Sequence, residues 1–169
     1  MDDSIARQTS GLLGATGWFE DFTVGLRLRH ARSSTIGEAE GSFLAKQVMN
    51  TAQAHWNDHQ RDTRDTAELG SGRLVFGLAT AATVLGLAFQ DTTEHALAEV
   101  SYDGFRFRAP VHHGDTLTAY TEVLDIAQSE HPDAGLVTFK HWGLRQDDVV
   151  VFEGIRTALI KRRSHWGIR

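Results

Sequence analysis

The order of apolar and polar positions divides the chain into helix-like and strand-like stretches. Trp18 to Arg32 alternates, with Val24, Leu26 and Leu28 separated by Gly25, Arg27 and Arg29, a period of two that predicts a strand. Ser33, Ser34 and Thr35 then precede good helix formers. Glu38, three residues past Thr35, completes a capping-box pattern, and a helix is expected from there. Phe43, Leu44, Val48 and Ala52 fall on one stripe at three- and four-residue spacings, and Asn50, seven residues after Phe43, is expected on nearly the same core-facing side.

Leu74 to Phe89 reads LVFGLATAATVLGLAF, apolar around its whole circumference and without a charge, which predicts a helix buried on all sides. Alternation returns after Gln90–His95. Strands are expected at Ala96–Ala109, Thr116–Ala127, Leu136–Leu144 and Val149–Lys161, with the short Gln146–Asp148 link making the last two a hairpin. One early strand, one or two helices and four strands joined by short turns predict an α+β fold. A mostly antiparallel sheet wrapped around the apolar helix satisfies that pattern. Residues 1–17 read as an aperiodic arm, 18–163 as one domain, 57–73 as a charged and then glycine-rich surface loop, and 164–169 as a basic tail.

Composition narrows the chemistry. With 169 residues, 41% hydrophobic and 23% charged, the chain is an ordinary globular one of single-domain size. A net charge of −5 without a basic run gives no footprint for nucleic acid. The absence of cysteine excludes disulfides, zinc–thiolate sites and thiol nucleophiles and suits a reducing compartment, so a cytoplasmic location is expected. The N-terminus lacks the apolar core of a secretory signal, and no apolar stretch reaches bilayer length.

The candidate chemistry lies in Gly41–Asp58, where a helical stretch runs into Asn50, His55 and Asn57. Histidine suits proton transfer near neutral pH, and equally a helix-capping role. Asparagine cannot accept a proton at neutral pH but can orient water, or bond the backbone at a helix end. Gly77, if it lies in the first turn of the apolar helix, offers an amide at the positive end of the helix dipole, or merely a close packing point. His112 and His113 read as solvated turn residues, and no cluster has the spacing of a metal site. Arg73, Arg106, Arg108 and Lys161–Arg163 could meet phosphates, although surface ion pairing is the more ordinary role.

The segments NTAQAHWN (50–57), VFG (75–77) and FRFRAPVHHGDTL (105–117) together resemble the MaoC-like acyl-CoA hydratases and dehydratases of the hotdog fold. VVFEGIRTALIKRR resembles the β-methylmalyl-CoA (mesaconyl-CoA) dehydratase branch. That resemblance implies hydration or dehydration of a short or branched acyl-CoA thioester by a homodimer, without metal or redox cofactor. His55 would be the acid–base residue, Asn50 the water-positioning residue and the Gly77 amide the oxyanion donor. Asn57, Val75, Phe76 and Arg108 would contact substrate. The family motif D-x-N-P-x-H-x-[DN] is only half matched: Asn50 stands where the family has aspartate, and Ala52-Gln53 where it has Asn-Pro. The alternatives are an acyl-CoA thioesterase or an acyl-CoA-binding subunit weakened in catalysis.

Overall fold

The computed structural model describes residues 16–59 and 72–166. Among them a five-stranded antiparallel sheet is crossed by one long helix. The strands are β1 (Arg27–Thr35), β2 (Ala96–Phe107), β3 (Thr116–Gln128), β4 (Ala134–Arg145) and β5 (Val150–Lys161). Their order across the sheet is β1-β3-β4-β5-β2. The last three strands are therefore sequential neighbours, and β2, which follows the helix, crosses to the far edge against β5.

Helix α1 (Glu38–Gln47) leaves β1, and helix α2 (Gly77–Thr92) packs on the inner face of the sheet. The period-two pattern selects that face. Leu117, Ala119, Thr121 and Val123 on β3 are buried, whereas Thr118, Tyr120 and Glu122 between them are only partly covered. One apolar cluster gathers around the first half of α2, with Val84, Leu117, Val151 and Phe152 at its centre. A second, with Phe19, Phe22, Val137 and Phe139, lies at the other end.

The α+β class and the four later strands follow the expectation, and several local expectations do not. The alternating run from Trp18 enters the sheet only at Arg27, because Phe19–Asp21 forms a 3-10 turn closed by Trp18 N–H to Asp21 Oδ2 at 3.1 Å. Val24 is accordingly exposed. Helix α1 starts from Gly37 rather than Thr35, and it is Glu40, not Glu38, that reaches back to an amide, that of Gly37, at 3.3 Å. The buried residues of α1 are Gly41 and Ala45, while Phe43 and Val48 are 59% and 58% exposed. Of the apolar stripe read from the sequence, Phe43 and Val48 therefore face outward within this chain, while Leu44 packs against the first core cluster.

The long apolar helix begins three residues later than expected. Leu74 and Val75 are held extended, Leu74 bridged to His112 and the Val75 amide bonded to the Val111 carbonyl at 2.8 Å. Nor is α2 buried all round. Leu78, Ala82, Gly86 and Phe89 form an exposed line, with Leu78 53% exposed. The arm at 1–15, most of the loop at 60–71 and the end of the tail at 167–169 lie outside the described residues.

Candidate functional site

The site is built where the turn after α1 meets the chain entering α2. α1 ends in a Schellman motif. The Asn50 amide bonds the Ala45 carbonyl at 3.0 Å and the Met49 amide the Lys46 carbonyl at 3.1 Å, with Met49 in the left-handed region at φ 53°. This reversal takes Asn50 off the helix, so the seven-residue spacing from Phe43 does not place it on the core face. Its Oδ1 instead accepts the Ala52 amide at 3.1 Å, an Asx turn that leaves the side-chain NH2 as the group able to donate onward.

A 3-10 turn, Gln53–His55, follows. It is joined to the strand-like lead-in of α2 by the Leu74 amide, which donates to the Ala54 carbonyl at 2.9 Å. The half-buried His55 ring completes the joint, with Nδ1 2.9 Å from the Leu74 carbonyl oxygen. A carbonyl only accepts, so Nδ1 carries a hydrogen, and in the neutral ring Nε2 is the nitrogen with the lone pair that a base requires. The edge of the ring meets Phe76, centroids 5.8 Å apart. Phe76 caps α2, its carbonyl accepting the Ala79 and Thr80 amides at 2.8 and 3.1 Å. Gly77 opens the helix, and its amide is one of the first-turn donors that have no partner inside a helix. A side chain there would meet the Phe107 ring at 3.3 Å, so Phe107 lies directly over the helix start.

The structure thus ties His55 to Leu74 and Phe76, immediately before Gly77, and ties Asn50 into the turn on the other side of Gln53–His55. It separates the remaining candidates. Asn57 belongs to the same local turn, with Nδ2 donating to Gln53 Oε1 at 3.0 Å. Val75 is a core residue, 5% exposed. Arg108 is ion-paired to Glu153, which lies on the sheet face opposite α2, and the Arg108 hydrogen bond, ahead of its charge and that of Lys140, lowers the Glu153 carboxyl.

No sequence signal announced two parts of this arrangement, the Leu74 carbonyl that orients His55 and the Phe107 ring over Gly77, because both depend on long-range pairing. Arg73 has its own partners. It pairs with Glu38, with Asp58 at 2.9 Å and with Ser42 Oγ at 2.9 Å. Glu38 and Asp58 are therefore engaged in ion pairs and Glu40 in the helix cap, so the nearby carboxylates that might replace the missing aspartate already have partners. His113 is not the solvated residue expected. Its ring sits in the space a Gly41 side chain would fill, and burial, followed by Arg73, lowers its pKa. Among the described residues no group of His, Asp or Glu is arranged to hold a metal ion.

Residues 15–162 match the family model described as mesaconyl-CoA hydratase. The chain belongs to the mesaconyl-CoA hydratase family. It is 34% identical over 157 residues to the mesaconyl-CoA hydratase of Haloarcula marismortui, covering 86% of this chain and 42% of that protein. Among solved structures, a MaoC domain protein dehydratase from Chloroflexus aurantiacus superposes with a TM-score of 0.75 at 29% identity, over 91% of this chain and 43% of that one. A double-hotdog protein from Mycobacterium tuberculosis does so with a TM-score of 0.73 at 23% identity, over 91% and 47%, and shares the hotdog fold. The chain therefore spans less than half the length of the curated relative and of both solved chains. Among its described helices none is long and apolar enough to cross a membrane.

Proposed function

We propose that this chain hydrates an enoyl-CoA thioester, or dehydrates the corresponding 3-hydroxyacyl-CoA, with a short or branched acyl group. The observation that carries the reading is the His55 ring, fixed through Nδ1 by the Leu74 carbonyl beside the start of α2, which leaves Nε2 as the nitrogen for proton exchange. In the hydration direction Nε2 takes a proton from water, and the oxygen adds to the β-carbon. The electron pair displaced from the carbon–carbon double bond moves onto the thioester oxygen, where the Gly77 amide and the positive end of α2 stabilise it. The imidazolium then returns the proton to the α-carbon, which balances the addition. The Asn50 NH2 donates to the attacking water and orients it, while Phe76 and Phe107 shield the site. No redox cofactor or metal enters this scheme.

A second copy of the chain belongs to the same proposal. Besides the exposed line on α2, the edge strand β2 leaves Val100, Tyr102 and Phe107 about half exposed. The double-hotdog structure carries in one chain about twice the length found here. A homodimer across the β2 edge restores that arrangement and covers the apolar line, and a cytoplasmic location fits the cysteine-free sequence.

Loss of enoyl absorbance from crotonyl-CoA and mesaconyl-CoA tests the reaction. His55→Ala is expected to lower kcat by about 10²–10⁴, and full activity in that variant refutes the mechanism. Because Asn50 stands in for aspartate, acyl-CoA binding without turnover is the reading that competes. Calorimetric binding with no absorbance change and no thiol release would establish it, whereas thiol release would identify a thioesterase.

A further inference from the structure

Arg73 immediately precedes the residue that orients His55. The Arg73–Leu74 peptide supplies the amide that donates to the Ala54 carbonyl at 2.9 Å, and the Leu74 carbonyl, at the next peptide, lies 2.9 Å from His55 Nδ1. Leu74 therefore grips the Gln53–His55 turn at two successive residues. A shift of the backbone at 73–74 is passed directly to the imidazole ring.

The Arg73 side chain fixes that backbone from three directions. Nε donates to Asp58 Oδ1 at 2.9 Å, Nη1 donates to Ser42 Oγ at 2.9 Å, and Nη2 pairs with Glu38 Oε1. Glu38 and Ser42 are four residues apart on α1, so both lie on the helix face turned to the guanidinium. Asp58 lies three residues past His55. One side chain thus ties the lead-in of α2 to α1, which precedes the Gln53–His55 turn, and to the chain just beyond that turn.

Surface ion pairs are ordinarily weak. The side chains of Glu38 and Asp58 are 70% and 63% exposed, and pairs of that kind add little to stability. Arg73 differs in that its own side chain is only 15% exposed and its planar fork meets three partners at once, which the compact ammonium of lysine does not reproduce. The consequence is therefore one of geometry more than of stability. A displacement of about 1 Å at a reacting group can cost about 10²-fold in rate.

We propose that Arg73 is a positioning residue: by clamping Glu38, Ser42 and Asp58 to the lead-in of α2, it holds the Leu74 carbonyl against His55 Nδ1 and so aims Nε2 at the reacting atoms. This role rests on the hydration reading given above. Arg73 Nε, Nη1 and Nη2 are each engaged within the chain, so the residue acts through Leu74 and not on the substrate.

The test compares Arg73→Met, which keeps the apolar stem, and Arg73→Lys with the parent, each also combined with His55→Ala, in the full chain. Arg73→Met is expected to lower kcat on crotonyl-CoA or mesaconyl-CoA by about 10²-fold with a smaller change in KM, and Arg73→Lys to recover part of the rate. In the His55→Ala background Arg73→Met should add no further loss, because both act through one ring. Asp58→Ala removes one tie at an exposed position where the fold is not at risk, and should lower kcat in the same His55-dependent way. Spectra of 15N-histidine-labelled protein, taken where the rings are neutral and with His55 assigned by its loss in His55→Ala, should show the Nδ1–H tautomer in the parent and a mixture with Nε2–H in Arg73→Met. An undiminished kcat in Arg73→Met or Asp58→Ala, an equal loss with and without His55, or a His55 tautomer unchanged by Arg73→Met would each overturn the proposal. The spectra need no turnover, so a parent that hydrates neither thioester refutes the hydratase reading, while the tautomer still decides whether Arg73 places His55.

Discussion

Replacing Asn50 by aspartate restores the carboxylate of the family motif, and the structure sets limits on what else that change can do. Asn50 Oδ1 accepts the Ala52 amide at 3.1 Å, and a carboxylate oxygen of the same shape keeps that bond and strengthens it. Against this, a negative charge two residues beyond the α1 cap faces the negative end of the helix dipole, at a cost of about 0.3–1 kcal/mol. The two effects nearly offset. The variant should melt within about 2–4 °C of the parent, the shift that about 1 kcal/mol produces in a domain of this size. Its rate should not be unchanged. General acid–base groups contribute about 10²–10⁴-fold, and the new carboxylate lies one 3-10 turn from His55. Asn50→Asp is therefore expected to raise kcat at least tenfold on crotonyl-CoA or mesaconyl-CoA, with a smaller change in KM. An unaltered kcat in a protein that melts normally would show that Asn50 only terminates the helix. Asn50→Ala separates the roles, because it removes the acceptor for the Ala52 amide and supplies no base.

Other outcomes follow from local geometry. Met49 occupies at φ 53° the position where helices favour glycine, so Met49→Gly should stabilise the protein by about 0.5–1 kcal/mol, read as a higher urea midpoint. A methyl group on Gly143 would come within 2.4 Å of Val84 on α2, so Gly143→Ala should cost about 1–3 kcal/mol; adding Val84→Ala should recover part of that loss in a double-mutant cycle. In the β4–β5 turn Arg145 holds both oxygens of Asp147, and this hydrogen bonding, ahead of the charge itself, brings the Asp147 pKa from 3.8 to about 2. A depressed carboxylate stabilises above its unfolded value and ceases to as pH falls through its folded value. The Asp147 contribution should therefore disappear between about pH 4 and 2, and urea midpoints of Asp147→Asn should fall less steeply than those of the parent across that window.

What could be read in the sequence and what could not divides along the range of the interactions involved. Period-two alternation on β3, from Leu117 through Val123, has a purely local cause, since successive side chains point to opposite faces, and it identified strand and inner face together. The uncharged run at Leu74–Phe89 likewise announced α2, and the short Gln146–Asp148 link announced the β4–β5 hairpin. Sequence alone also singled out His55 and Gly77 as candidates and set Asn50 where the motif of the family it resembles has aspartate.

Tertiary structure decided the rest. β2 joins β5 rather than a sequence neighbour because that pairing completes the sheet beneath α2. The loop between β2 and β3 holds Leu74 and Val75 extended through Val111 and His112, which delays the start of α2 to Gly77 and presents the Leu74 carbonyl to His55. The Schellman turn at Met49 removes Asn50 from the stripe that helical periodicity assigned it, because periodicity continues on paper past the point where the backbone reverses. Arg73 gathers Glu38, Asp58 and Ser42, residues far apart in sequence whose shared partner only the fold could supply. The same holds for the buried chain from Asp91 on α2 through His30 and Thr121 to His141, which the strand order and the packing of α2 on the sheet bring together.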